Sequence, residues 1–250
     1  MDADEHEGDR RWLKRFGRVG PSEIRLLCFH HAGGGASMYR MWPRLLPWFI
    51  EPVAVQLPGR ADRFDEPPFE RMEPLVDALI DVIKPMLDQP FACYGASMGA
   101  RVAWALSHTL RERGMPGPRR LYVASNTAPI VNNGAGDWDG AEDSLYGYLR
   151  DMGGTPAEVF DDPDLVAGLL PTLRADLTVL TTYTSRPAKP LDVSIRAFAG
   201  TEDVVASAER MSGWRAETRA RFDLDPVPGG HFFDASGERQ VIQTIARDLI

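Results

Sequence analysis

Phe91-Ala92-Cys93-Tyr94-Gly95-Ala96-Ser97-Met98-Gly99-Ala100 is an apolar run that ends in Gly-x-Ser-x-Gly. Ala100 to Leu106 continue it with helix-favouring residues. The order is strand, sharp turn, helix. A serine on such a turn has strained backbone angles, and glycines on either side remove the Cβ atoms that would clash as the chain folds back. The strain pushes the hydroxyl out of the sheet edge, with the Met98 N–H aimed at the same spot. The bare pentapeptide occurs by chance in many proteins. A strand before it and a helix after it favour a nucleophile over a plain glycine-rich turn.

The surrounding chain fits this reading. With 250 residues it can form one large domain with a full core. Its hydrophobic content of 44% and charged content of 26% are those of a globular protein. No apolar run approaches the roughly 20 residues of a membrane span. The start, Met1-Asp-Ala-Asp-Glu-His-Glu, is acidic and lacks the apolar segment of a signal peptide. Cys28 and Cys93 both fall inside predicted strands and read as buried thiols of a reducing, cytoplasmic compartment. A net charge of −8 excludes bulk nucleic-acid binding, which needs a basic face.

Strand-like runs recur at Ile24–Phe29, Pro52–Leu57, Arg120–Ser125, Leu191–Ala199 and Arg221–Pro226. Helical patterns separate them, most clearly over Met72–Leu87 and Ser236–Ile250, with weaker ones over Tyr39–Phe49 and Ser207–Arg219. The alternation predicts an α/β fold: a mostly parallel sheet of six or seven strands with helices on both faces. Residues 1–20 are expected to be a mobile arm with a helical turn at Trp12–Phe16, and 21–250 a single domain. From Asn126 to about Pro190 no strand appears, and short helices are expected near Asp143–Met152, Asp164–Leu170 and Leu173–Tyr183. So long an insertion reads as a helical lid. Together with the serine turn this is the pattern of an α/β-hydrolase.

A serine hydroxyl needs a base, and the base needs an orienting acid. In this fold the chain order is serine, acid, histidine. His6 lies in the arm, His30 and His31 precede the serine, and His108 lies along the helix that follows it. His231, in Pro228-Gly-Gly-His-Phe232 after the last strand, satisfies the order. Asp203 follows a strand between the two and is the expected acid, with Glu202 as its neighbouring alternative; Asp164 and Asp176 fall in the lid. The oxyanion hole needs two backbone N–H groups. Met98 supplies one, and Ala32, just before Gly33-Gly34-Gly35, is expected to supply the other. The glycine-rich loop lacks the spacing of a phosphate loop.

Four motifs then carry a resemblance: Phe29-His-His31-Ala32-Gly33-Gly34, Gln56-Leu57-Pro58-Gly59-Arg60, Gly95-x-Ser97-Met98-Gly99 and Gly229-Gly230-His231-Phe232. From about residue 24 onward the chain resembles the type II thioesterases of polyketide and nonribosomal peptide synthesis. The resemblance implies hydrolysis of acyl groups from the phosphopantetheine arm of acyl or peptidyl carrier proteins, with Ser97, Asp203 and His231 as the triad. The only cofactor expected is the pantetheine that arrives with the substrate; no metal and no nucleic-acid or membrane partner is expected, and the chain is expected to be a monomer. The family usually has Pro at the position of His30 and His at that of Ala96. Alternative readings are an esterase or acyltransferase on small esters, and a catalytically silent hydrolase-fold binding module. Carrier domains of the family are acidic, so Arg40, Arg44 and the arginines of Arg60–Arg63 are expected to form the local basic docking patch.

Overall fold

The computed structural model describes residues 10–17, 20–129, 145–148, 150, 157–184 and 189–250. Seven strands form one sheet: β1 (Leu13–Lys14), β2 (Ile24–Phe29), β3 (Ile50–Val55), β4 (Phe91–Ala96), β5 (Arg120–Ala124), β6 (Ser194–Gly200) and β7 (Phe222–Val227). Their spatial order is β1-β3-β2-β4-β5-β6-β7. All neighbours pair in parallel except β1, which runs antiparallel to β3. The helices are α1 (Trp42–Leu45), α2 (Met72–Ile83), α3 (Met98–Glu112), α4 (Pro163–Thr182), α5 (Ala208–Met211) and α6 (Ala235–Asp248).

Period-two alternation divides the core between the two faces of the sheet. Leu27 and Phe29 of β2, with Cys93 of β4 and Val123 of β5, pack under α2, α3 and α4. Leu26, Cys28, Tyr94, Tyr122 and Phe198 pack on the other face against Trp42 of α1 and Val241, Ile242 and Ile245 of α6. Both faces are therefore dry, which explains why β2 and β4 read as continuous apolar runs. The two thiols are free and buried in the central strands.

Part of the expected arm is tied down. Residues 10–12 are helical, and Leu13 and Lys14 extend the sheet by pairing with Val55 and Ala54. Leu13 is buried, and the Arg63 guanidinium lies 4.0 Å over the Trp12 ring. One apolar residue and one aromatic ring are too short a pattern to announce a strand. Residues 1–9 of the expected arm lie outside the described residues. β3 starts at Ile50, two positions before the expected Pro52. The proline is tolerated because β1 covers only Ala54 and Val55, leaving that part of β3 an open edge. The helices expected over Tyr39–Phe49 and Ser207–Arg219 are each a short α-helix joined to a 3-10 turn.

The insertion differs more. Residues 145–148 are helical, as expected of the segment near Asp143–Met152, whereas 130–144, 149, 151–156 and 185–188 lie outside the described residues. The two helices expected on either side of Pro171 are one helix, α4. Val166, Leu170, Leu173, Leu177 and Leu180 form a single buried stripe at spacings of three and four. Packing of that stripe outweighs the roughly 3 kcal/mol that an interior proline costs a helix. Among the described residues α4 is also long and apolar enough to cross a membrane, which the sequence pattern did not suggest. Here its apolar stripe packs into the core beside α2 and α3 instead.

Backbone contact at the β4–α3 junction leaves no room for side chains. A Cβ on Gly99 would fall 2.1 Å from Phe29 O, and one on Gly95 2.2 Å from Gly99 O. Gly99→Ala or Gly95→Ala should therefore abolish soluble folding or lower the Tm sharply, whereas Gly117→Ala, which meets nothing within 4 Å, should leave it unchanged. Thermal unfolding of the three variants checks this.

His108 is buried on α3, with its ring 4.2 Å from that of Trp104. Burial, and then the Arg111 charge, push its pKa down from 6.5 to about 4. The unfolded chain thus takes up a proton that the folded chain refuses. Stability is unaffected by this group above pH 6.5 and falls as pH drops from 6.5 towards 4. His108→Asn should lose less stability between pH 7 and 5 than the parent does, by urea midpoints. Equal losses would show that other groups govern this window.

Candidate active site

The site lies at the carboxyl ends of the parallel strands, where loops from β2, β4, β6 and β7 converge. Ser97 follows β4 and has φ 51° and ψ −114°, a region that a residue with a Cβ rarely adopts. Two bonds hold it there: its N–H donates to Ala124 O at 2.8 Å, and its C=O accepts the Ala100 N–H at 3.0 Å. Ser97 is buried beneath the surrounding loops, with 4% residual exposure.

His231 Nε2 lies 3.1 Å from Ser97 Oγ, and His231 Nδ1 lies 3.0 Å from Asp203 Oδ2. A carboxylate only accepts, so the ring proton sits on Nδ1 and Nε2 is free to accept from Ser97. Asp203 Oδ1 takes the N–H groups of Val205 and Ala206, each at 2.8 Å. Desolvation alone would raise the Asp203 pKa. The bonds from His231 and from the two amides outweigh it and hold the carboxyl below its ordinary value. Glu202, the neighbouring alternative, is exposed. Asp164 is exposed at the start of α4, and Asp176 is buried in an ion pair with Arg60.

Ala32 lies in the loop after β2. Its N–H finds no acceptor among the described residues, and Met98 opens α3, where helix geometry leaves the N–H unpaired. His31 stands edge-on to Phe232 with centroids 4.5 Å apart, and Phe232 stands edge-on to His231 at 5.3 Å. Burial, ahead of all other influences, lowers the pKa of both His30 and His31. Both rings are neutral at pH 7.

Tyr148 was not expected here. Its phenol is within hydrogen-bond reach of the Ser97 hydroxyl, and burial pushes its pKa up to about 12. A neutral phenol therefore faces the Ser97 hydroxyl from the helical insertion. No motif surrounds Tyr148, so nothing in the linear sequence marks it.

The expected basic docking loop needs correction. Arg60 and Arg63 are 8% and 4% exposed. Arg60 forms a two-pronged pair with Asp176, Nη1 to Oδ2 at 2.6 Å and Nη2 to Oδ1 at 2.8 Å. Arg63 bonds Glu66 and the Gln56 carbonyl. Removing one member of such a buried pair strands the other charge, at a cost of about 3–5 kcal/mol. Arg40 and Arg44 remain exposed.

The thioesterase domain family matches residues 24–249. The gramicidin S biosynthesis protein GrsT of Aneurinibacillus migulanus is 32% identical over 240 residues, which span 96% of this chain and 94% of that protein. Thioesterase PikA5 of Streptomyces venezuelae is also 32% identical over 240 residues, spanning 96% of this chain and 85% of that protein. Among solved structures, the RedJ thioesterase of the prodiginine pathway in Streptomyces coelicolor superposes with a TM-score of 0.86 at 32% identity, covering 93% of this chain and 94% of that one. The type II thioesterase BorB of the borrelidin cluster gives 0.85 at 31%, covering 96% and 98%. The chain therefore belongs to the thioesterase family, with the type II enzymes of polyketide and nonribosomal peptide synthesis, and it is a hydrolase of thioester bonds.

Proposed function

We propose that the chain is a stand-alone editing thioesterase, which releases acyl groups from the phosphopantetheine arm of carrier proteins through an acyl-enzyme on Ser97. The observation that carries this is the unbroken hydrogen-bond chain Ser97–His231–Asp203 beside the glycine-rich loop. It is found in a protein matched over nearly its whole length by biosynthetic thioesterases. In the first half-reaction His231 Nε2 removes the Ser97 proton as Oγ attacks the thioester carbon. Asp203 stabilises the imidazolium that forms. The oxygen that gains charge is received by the N–H groups of Ala32 and Met98. The C–S bond then breaks and the imidazolium gives its proton to the departing pantetheine sulfur. Water repeats the sequence on the ester, yielding the free acid and regenerating Ser97. Protein groups alone carry both halves, without metal or dissociable cofactor.

The carrier is the proposed partner, met in the cytoplasm by a monomer. Arg40 and Arg44, exposed between the glycine-rich loop and β3, are the basic residues left for an acidic partner to approach. An esterase of small molecules would share the triad but would gain nothing from a carrier.

Ser97→Ala should abolish turnover without loss of fold. His231→Ala should do nearly as much damage, and the double variant should be little worse than either, because triad members act as a unit. Additive losses in kcat would mean that the two residues do not share a step. Asp203→Asn should lower kcat by about four orders of magnitude, as loss of the acid does in serine proteases; Glu202→Gln should leave it near the parent value.

For one acyl group, kcat/KM should be higher on a phosphopantetheinylated carrier protein than on free pantetheine. The gain should fall mostly in KM, since carrier contacts are the same in ground and transition states. Equal values on the two substrates would turn the assignment towards a general esterase.

A further inference from the structure

Leu57-Pro58-Gly59-Arg60 touches no member of the triad, yet its arginine is buried and bonded on every side. Besides the pair with Asp176, Arg60 Nη1 donates to Gly34 O at 3.0 Å, and Nε to Pro58 O at 3.2 Å. Asp176 Oδ2 accepts the Gly33 N–H at 2.8 Å as well as the Arg60 bond. One turn earlier on α4, the Thr172 hydroxyl donates to Gly59 O. The carboxylate of a helix in the insertion thus binds the loop after β2 directly, and through Arg60 binds it a second time.

What these bonds hold is the peptide unit that presents the Ala32 N–H. In a trans peptide the N–H points opposite to the C=O of the same unit. The C=O belonging to the Ala32 N–H is that of His31. It accepts the Gly34 N–H at 3.0 Å and lies 2.8 Å from His30 Nδ1. A carbonyl only accepts, so the His30 proton is on Nδ1. With His31 O held from one side, the Ala32 N–H is aimed to the other. Gly34 can hold it because Arg60 fixes Gly34 O, and Asp176 fixes the adjoining Gly33 N–H. The next carbonyl, Ala32 O, lies 2.9 Å from His31 Nδ1 and completes the brace.

We propose that Asp176 is a positioning residue for the oxyanion loop and that, with Arg60, it aims the Ala32 N–H only while α4 is seated on the loop. The Leu-Pro-Gly-Arg signature is then a device that couples the insertion to the catalytic loop. This rests on attack by Ser97 with Ala32 as an oxyanion donor.

Two variants separate aim from fold. Asp176→Asn keeps the shape of the side chain and removes the charge. The double change Arg60→Met with Asp176→Leu removes both charges together, which buried pairs often tolerate. Each is compared with the parent for Tm, for kcat/KM on an acyl-N-acetylcysteamine thioester, and for affinity to two analogues. One is a trifluoromethyl ketone, which forms an oxyanion adduct with serine; the other is a thioether that mimics the bound substrate.

A folded variant should lose about 10–100-fold in kcat/KM and a similar factor for the ketone, while thioether affinity changes by less than about threefold. Parent-like kcat/KM in either folded variant, or equal loss for both analogues, would overturn the proposal. In the parent protein, the Gly33 amide should exchange with solvent as slowly as the amides of β4. Fast exchange would overturn it even if neither variant folds. Ser97→Ala run in parallel isolates the underlying chemistry: turnover there would fault the serine mechanism, not the brace.

Discussion

Everything at this site depends on one contact of backbone with backbone. The first turn of α3 lies so close to the end of β2 that Gly99 could not carry a Cβ without striking Phe29 O. That approach makes the chain reverse within a single residue, and Ser97 takes the strained angles of the reversal. The strain is sustained because β4 is a central strand, paired with β2 on one side and β5 on the other. A strand at the edge would relax. Here the buried apolar faces of the sheet fix both ends of the turn, and their packing offsets the cost of the unfavourable φ.

The same contact brings the glycine-rich loop to Ser97, since that loop continues from Phe29. Parallel pairing does the rest. Each strand delivers the loop after its carboxyl end to one rim, so residues far apart in sequence meet there: Ala32 from β2, Ser97 from β4, Asp203 from β6 and His231 from β7. Asp203 and His231 reach Ser97 from strands that do not adjoin β4. The hydrogen bonds of Asp203 to two amides of its own loop then keep its carboxylate aligned and ionised.

Some of the charge that the sequence offers is used inside the fold. The two arginines that follow the Pro-Gly turn after β3 are spent on Asp176 and Glu66. Planar guanidinium groups suit this task, because each can bind a carboxylate and backbone carbonyls at once. The exposed surface is left with fewer basic groups around this loop than the sequence suggests. Exposure, not composition, decides which arginines a partner meets.

Much of this was legible in the linear chain. Hydrophobic runs and their periodicity determined β2, β4, β5 and the helices α2, α3 and α6, because in those segments local preference and burial agree. Motif chemistry and chain order singled out Ser97, His231 and Asp203 as candidates, and the structure brings the three within hydrogen-bond reach, since each sits in a loop whose place follows from the strand before it. Three things were decided only by tertiary structure. The continuity of α4 through Pro171 came from a buried stripe that overrides a local breaker. The strand at Leu13–Lys14 exists because an open edge of β3 accepts it. The roles of Arg60, Arg63 and Tyr148 depend on partners remote in sequence: Asp176 for one, Trp12 and Glu66 for another, Ser97 for the third. A residue's type states what it can bond, and only the packed chain states what lies within reach.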